Sequence, residues 1–237
     1  MKKSRSVKLE RHMRYVFIAL SAMAVIYNFF TRQWEVFFSA VLTLILFILP
    51  SLLAKRSKLK IPAAFQIVVL LFIFASMYLG EIYGYFYRYA WWDTMLHANS
   101  AIMLAYIGFL LIFTLNRDKR MYVHLSPLFM ALFSFCFALA VGSLWEIFEF
   151  GVDVIFHADM QKARNLEKVY GVFDTRLGVI DTMRDLIVDA VGALIVSVTG
   201  YIHMTHRKDE DSAFWAMQKQ FVEANPDLFD DKAPCQD

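Results

Sequence analysis

Gly142-Ser143-Leu144-Trp145-Glu146-Ile147-Phe148-Glu149-Phe150-Gly151-Val152-Asp153 closes an otherwise apolar segment that begins near Ser126. Gly142, Glu146, Glu149 and Asp153 are spaced four, three and four apart, so a helix places them all on one face. Three carboxylates on one stripe of a membrane-length helix are expensive to bury. Such residues face a cavity or a partner and mark a functional site. The rest of the chain has to supply what answers that stripe.

Working outward, the composition sets the class. Of 237 residues, 59% are hydrophobic and 19% charged, below the roughly 25% charge of a soluble domain. Mean hydropathy is +0.47. Apolar segments fall at 14–30, 34–53, 61–80, 92–115, 126–156 and 179–203. A hydrocarbon core of about 30 Å needs about 20 helical residues. The first segment is marginal and uses Arg14 and Tyr15 at the interface. The sixth carries Asp181, Arg184, Asp185 and Asp189, which would hide it from a hydropathy scan. The expected fold is all-α: a polytopic membrane helical bundle with six predicted transmembrane helices over residues 1–206 and a polar cytoplasmic tail over 207–237. Within that tail, Glu210 to Glu223 reads either as a short amphipathic helix on the membrane surface or as a frayed end.

Loop charges give the orientation. One side holds Lys2, Lys3, Arg5, Lys8, Arg11 and Arg14, then Lys55, Arg56, Lys58 and Lys60, then Arg117, Lys119 and Arg120, then Arg207 and Lys208. The first two connections on the other side hold only Arg32 and Arg88. The connection 157–178 mixes Lys162, Arg164, Lys168 and Arg176 with Asp159, Glu167 and Asp174. The bias places both termini in the cytoplasm. The basic N-terminus joins a membrane helix directly, which argues against a nucleic-acid partner; the partner is the lipid bilayer. It also lacks an Ala-x-Ala-like cleavage site, so the first helix is expected to stay uncleaved. Cys136 sits mid-membrane and Cys235 in the tail, so neither a disulfide nor a cysteine metal site is expected.

This orientation gathers the membrane-embedded charges at one depth. Helix 3 ends outward with Glu81, helix 4 starts outward with Asp93 and His97, helix 5 ends outward with Glu146, Glu149 and Asp153, and helix 6 starts outward with Asp181, Asp185 and Asp189. Asp93 and His97 share a face, as do Asp181, Asp185 and Asp189, with Gly192 continuing it. The fixed cations available are Arg88 and Arg184. So many like charges cannot all stay ionised and unpaired in a low-dielectric bundle. Some are protonated, some pair with arginine, or a divalent cation neutralises several. Oxygen donors plus one imidazole suit Mg²⁺, Mn²⁺ or Zn²⁺. The candidate metal ligands are Asp93, His97, Glu146, Asp181 and Asp185. Glu149 and Asp189 are candidate general bases, and Arg184 a candidate holder of a phosphate. The structural alternatives are a helix-dipole role for Asp93, an N-cap role for Asp181, an Arg184 or Arg88 pairing for Asp185, and interface positions for Trp91, Trp92 and Trp145.

Trp92-Asp93-x3-His97, Trp145-Glu146-x2-Glu149 and Asp181-x3-Asp185-x3-Asp189-x2-Gly192-Ala193 resemble the YjdF-type family of bacterial inner-membrane proteins over roughly residues 60–205. That resemblance implies a multi-pass protein of the bacterial cytoplasmic membrane and little chemistry. More distantly, the motif order is similar to the VanZ-like family, with Glu149 and Asp189 standing where that pattern has amides. Two functions stay open. One is a metal-dependent enzyme acting on a lipid or cell-envelope headgroup. The other is a proton- or cation-coupled transporter or ion-binding membrane protein.

Overall fold

The computed structural model describes residues 2–57, 60–117, 125–157, 159–162, 171, 176–205 and 213–226. Every regular element among them is a helix: α1 (Lys2–Phe30), α2 (Trp34–Ser57), α3 (Ala63–Ile73, continued as a π-helical run, Phe74–Ile82), α4 (Tyr85–Arg88), α5 (Trp92–Arg117), α6 (Pro127–Phe156), α7 (Leu177–Thr205) and α8 (Ala213–Ala224). Five helical stretches are long and apolar enough to cross a membrane: Arg5–Phe30, Ala63–Ile82, Trp92–Leu115, Pro127–Ile155 and Leu177–Thr205. Among the described side chains, α2 adds the apolar run Val36–Leu49. Each of the six predicted apolar segments is therefore a helix.

The differences lie at the ends. α1 starts at Lys2 rather than near residue 14 because its Lys, Arg and Glu residues are good helix formers. Hydropathy measures the apolar length, not the helical length. The short α4 had no periodicity to reveal it. α6 starts where its sequence dictates: the Ser126 side chain accepts from the Phe129 N–H at 3.2 Å, and Pro127 occupies the first turn.

The chain forms two compact units, Met1–Arg88 with Glu210–Asp237, and Tyr89–Asp209. The first is packed by large rings. Phe17, Phe47 and Leu70 form its core, and Phe17 stacks on Phe74 at 4.4 Å, which stacks on Tyr78 at 5.0 Å. Buried Glu10 pairs with Arg14 one turn along α1, and Arg14 also donates to Gln66 on α3 at 2.7 Å. The tail helix α8 belongs to this unit. Asn225, just beyond it, accepts from the Lys60 backbone N–H at 2.7 Å and donates to the Lys60 carbonyl at 2.8 Å. The side chains of Phe214, Trp215 and Met217, expected to form an apolar face, lie outside the described residues, as do Cys235 and the loop cations Lys58, Lys119, Arg120, Arg164, Lys168, Arg207 and Lys208.

The second unit is three long helices, α5, α6 and α7, packed against one another. Where the three helices meet lie Ala105, Ala138 and Ala193, each at most 1% exposed, one from each helix, with Leu96, Phe109 and Ile112 also buried in this unit. Small residues let backbones approach closely, which is how helices associate where lipid removes the hydrophobic drive between them. A side chain at Gly192 would meet the Ala101 Cβ at 3.0 Å. Ser134 of α6 donates to the Ala105 carbonyl of α5 across the same contact.

Candidate functional site

The acidic positions sit at the start of α5, towards the end of α6 and at the start of α7. Helices that alternate in direction bring such positions to one end of a bundle. The side chains meet there. α6 separates its faces sharply: Glu146 is 4% exposed and its neighbour Ile147 is 65% exposed. An apolar residue faces outward and a carboxylate inward, the polarity expected in a membrane.

His97 is the hub. Its Nδ1 is hydrogen-bonded to Asp189 Oδ2 at 3.4 Å, with Asp189 Oδ1 at 3.3 Å. Its Nε2 lies 3.7 Å from Glu146 Oε1 and 3.9 Å from Asp185 Oδ2. One atom from each of His97, Glu146 and Asp185 falls within 4.8 Å of the others, and the same holds for Asp93, Asp181 and Asp185. Asp185 belongs to both groups. The buried members are His97, Glu146, Glu149, Asp181, Asp185 and Asp189, while Asp93 is half-buried. Both oxygens of Glu146 and one each of Glu149, Asp181, Asp189 and Asp93 make no hydrogen bond among the described residues. Orphaned buried carboxylate oxygens in such number need an explanation.

Other groups hold the site in shape. Trp145 Nε1 donates to Glu149 Oε1 at 2.8 Å, so this tryptophan serves the cluster as well as the exposed face. Gly142 has a steric reason: a Cβ there would run into the Asp189 carboxylate. Asp153, the outermost member of the stripe, points its oxygens elsewhere, accepting from the backbone N–H groups of Met160 at 2.7 Å and Gln161 at 2.9 Å. It pins the segment after α6, and Gln161 in turn donates to Thr182 at 3.1 Å.

That pinned segment delivers a residue the sequence reading missed. Lys162 is 7% exposed and acts electrostatically on Asp93, Glu149 and Asp181. It had been counted as one loop charge among several. No periodicity marks it; the Asp153 bonds to Met160 and Gln161, and its own N–H bond to the Asp159 carbonyl, set the turn that carries it. The structure does not bring Arg184 to the cluster. It is exposed, one position along from buried Asp185 and so about 100° round α7. Glu81 and Arg88, also counted at this depth, belong to the other unit.

The fold and site define a multi-pass integral membrane protein with a buried His/Glu/Asp group that could hold a metal. Residues 12–206 match the family described as predicted membrane protein (DUF2238), and the chain belongs to that family. An uncharacterized protein of Thermotoga maritima is 23% identical over 166 residues, covering 70% of this chain and 74% of that protein. No solved structure matches.

Proposed function

We propose that this is a protein of the bacterial cytoplasmic membrane, YjdF-type in its motifs, that holds a divalent cation and acts on a lipid or cell-envelope headgroup at the outer face. The observation that carries the reading is the arrangement about His97. Asp189 takes Nδ1, leaving Nε2 directed at Glu146 and Asp185. Metal-bound histidines are oriented in this way, with the second ring nitrogen held by a carboxylate. Asp189 then positions His97 rather than serving as a base. His97, Glu146 and Asp185 are the ligands, and Asp93 and Asp181 complete the oxygen-rich lining. Hard oxygen donors with one imidazole suit Mn²⁺, Mg²⁺ or Zn²⁺. When bound, such an ion polarises a headgroup oxygen or lowers the pKa of a water. Glu149, fixed by Trp145 and with its second oxygen unbonded, is the group placed to accept a proton.

The alternative, a proton- or cation-coupled transporter, needs a route past the layer of Ala105, Ala138 and Ala193, which is fully buried and apolar. That layer favours chemistry at one face over passage. Metal analysis of the purified protein tests the reading. Bound Mn²⁺, Mg²⁺ or Zn²⁺ is expected in the wild type and lost in the Glu146→Gln/Asp185→Asn double variant. A wild type that binds none sinks it. Cation flux in proteoliposomes that vanished with Asp185→Asn would favour transport instead. A reporter inserted in the connection 157–178 should read as periplasmic.

A further inference from the structure

We propose that the site takes two divalent cations, bridged by Asp185. This rests on the metal reading above and goes beyond it. Among the described residues His97 is the one imidazole in the ligand groups, which by itself suits a single ion. The geometry gives two ligand sets instead. His97, Glu146 and Asp185 form one, and Asp93, Asp181 and Asp185 the other, each with ligand atoms within 4.8 Å of one another. Asp185 has two carboxylate oxygens and stands 2% exposed between them. A shared carboxylate holds two ions about 3.5–4 Å apart in two-metal sites generally.

Two further observations point to a ligand in the second set. Asp181 is 5% exposed, and its Oδ2 has no hydrogen-bond partner among the described residues; Asp93 Oδ2 is likewise unbonded. Charge points the same way. Asp93, Glu146, Glu149, Asp181, Asp185 and Asp189 converge at one end of the unit, and among the described residues Lys162 acts on Asp93, Glu149 and Asp181. With all six acids ionised as ligands or neighbours and Lys162 charged, one divalent ion leaves a net charge of −3 and two leave −1. Lys162 acts on Asp93 and Asp181, so its charge opposes the second ion and makes that ion the weaker one. The two ions therefore differ in affinity, the imidazole-bound one being tighter.

The test uses the full chain in detergent, loaded with Mn²⁺, with metal counted by mass spectrometry and examined by electron paramagnetic resonance. Two Mn²⁺ per chain are expected, with an exchange-coupled signal. Asp181→Asn should drop the count to one and restore the six-line spectrum of an isolated ion. His97→Ala should lower the affinity of the tighter ion by ten-fold or more. Lys162→Met should tighten the weaker one. A wild type that saturates at one Mn²⁺, lost in His97→Ala and untouched by Asp181→Asn, overturns the second ion and leaves the first. Saturation at one that rises to two only in Lys162→Met also overturns it, since Lys162 then takes the second ion's place. A wild type that binds none overturns both readings. The wild-type count is decisive whether or not any variant folds.

Discussion

Glu10 and Glu146 are both carboxylates buried in helices of a membrane protein, and the two units treat them differently. In the first unit Glu10 has Arg14 one turn away on the same helix, and Arg14 is held in turn by Gln66. The charges of the pair are matched within its own unit, although Arg14 Nε makes no hydrogen bond among the described residues. In the second unit Glu146 has His97 Nε2 3.7 Å from one oxygen, no hydrogen bond to either oxygen among the described residues, and several other acids around it. The packing differs too: stacked rings form the core cluster of the first unit, while in the second alanines meet where the three helices cross and the Phe109 ring lies against Gly200. A buried ion pair beside large apolar rings is a structural solution. A buried acidic cluster in a tightly closed small-residue bundle is held together against its own repulsion, which makes sense when something else occupies it.

The largest expected effect is on the second unit alone. Saturating Mn²⁺ should stabilise the wild type by about 4 kcal/mol at a thousand times its dissociation constant. Thermal unfolding in detergent checks this, and His97→Ala should abolish most of the gain. An equal gain in that variant would erase the contrast. Next comes Arg14→Met, which strands buried Glu10 and should cost about 3 kcal/mol. Glu146→Gln is the mirror experiment. Without added metal it removes one of several acids crowded about His97, so chelator-treated protein should unfold at the same temperature or higher. A loss as large as that of Arg14→Met would show that Glu146 is already paired.

A finer test uses two glycines of α6. Gly151 has nothing within 4 Å of an added Cβ, so Gly151→Ala should stabilise the helix by about 1 kcal/mol. Gly142→Ala would drive a methyl into Asp189 and should destabilise by about 1–3 kcal/mol, with weaker Mn²⁺ binding as Asp189 releases His97. Matching signs for the two would refute the packing described. The smallest effect belongs to the tail. Asn225→Ala removes both bonds to Lys60 and should cost about 1 kcal/mol, read as faster proteolysis of α8 with unchanged Mn²⁺ binding.

Much of the site was legible. Membrane-length apolar runs forced helices, and four-residue spacing put Asp181, Asp185 and Asp189 on one face; all three are buried. Helices alternating through a bilayer put acids from three helices at one level. Three particulars were not legible, and a fourth was legible but overlooked. Arg184 looked like a cation of the cluster because sequence shows adjacency and not the turn of the helix between neighbours. Lys162 looked like a loop charge because a non-helical segment carries no period. Asp153 looked like part of the acidic wall, yet its oxygens cap backbone amides. Glu10 was overlooked among basic residues, although an i, i+4 pairing with Arg14 was there to be read.

By itself, then, the sequence determined an all-helical membrane protein with acids on inward faces, because periodicity and apolar length are local properties with strong energetic consequences in lipid. Only the tertiary structure decided that His97 stands between Asp189 and the Glu146–Asp185 pair, that Asp185 serves two ligand sets, and that Lys162 faces one of them. These relations depend on ångström-scale distances between helices, and those distances are set by which small residues let the backbones close.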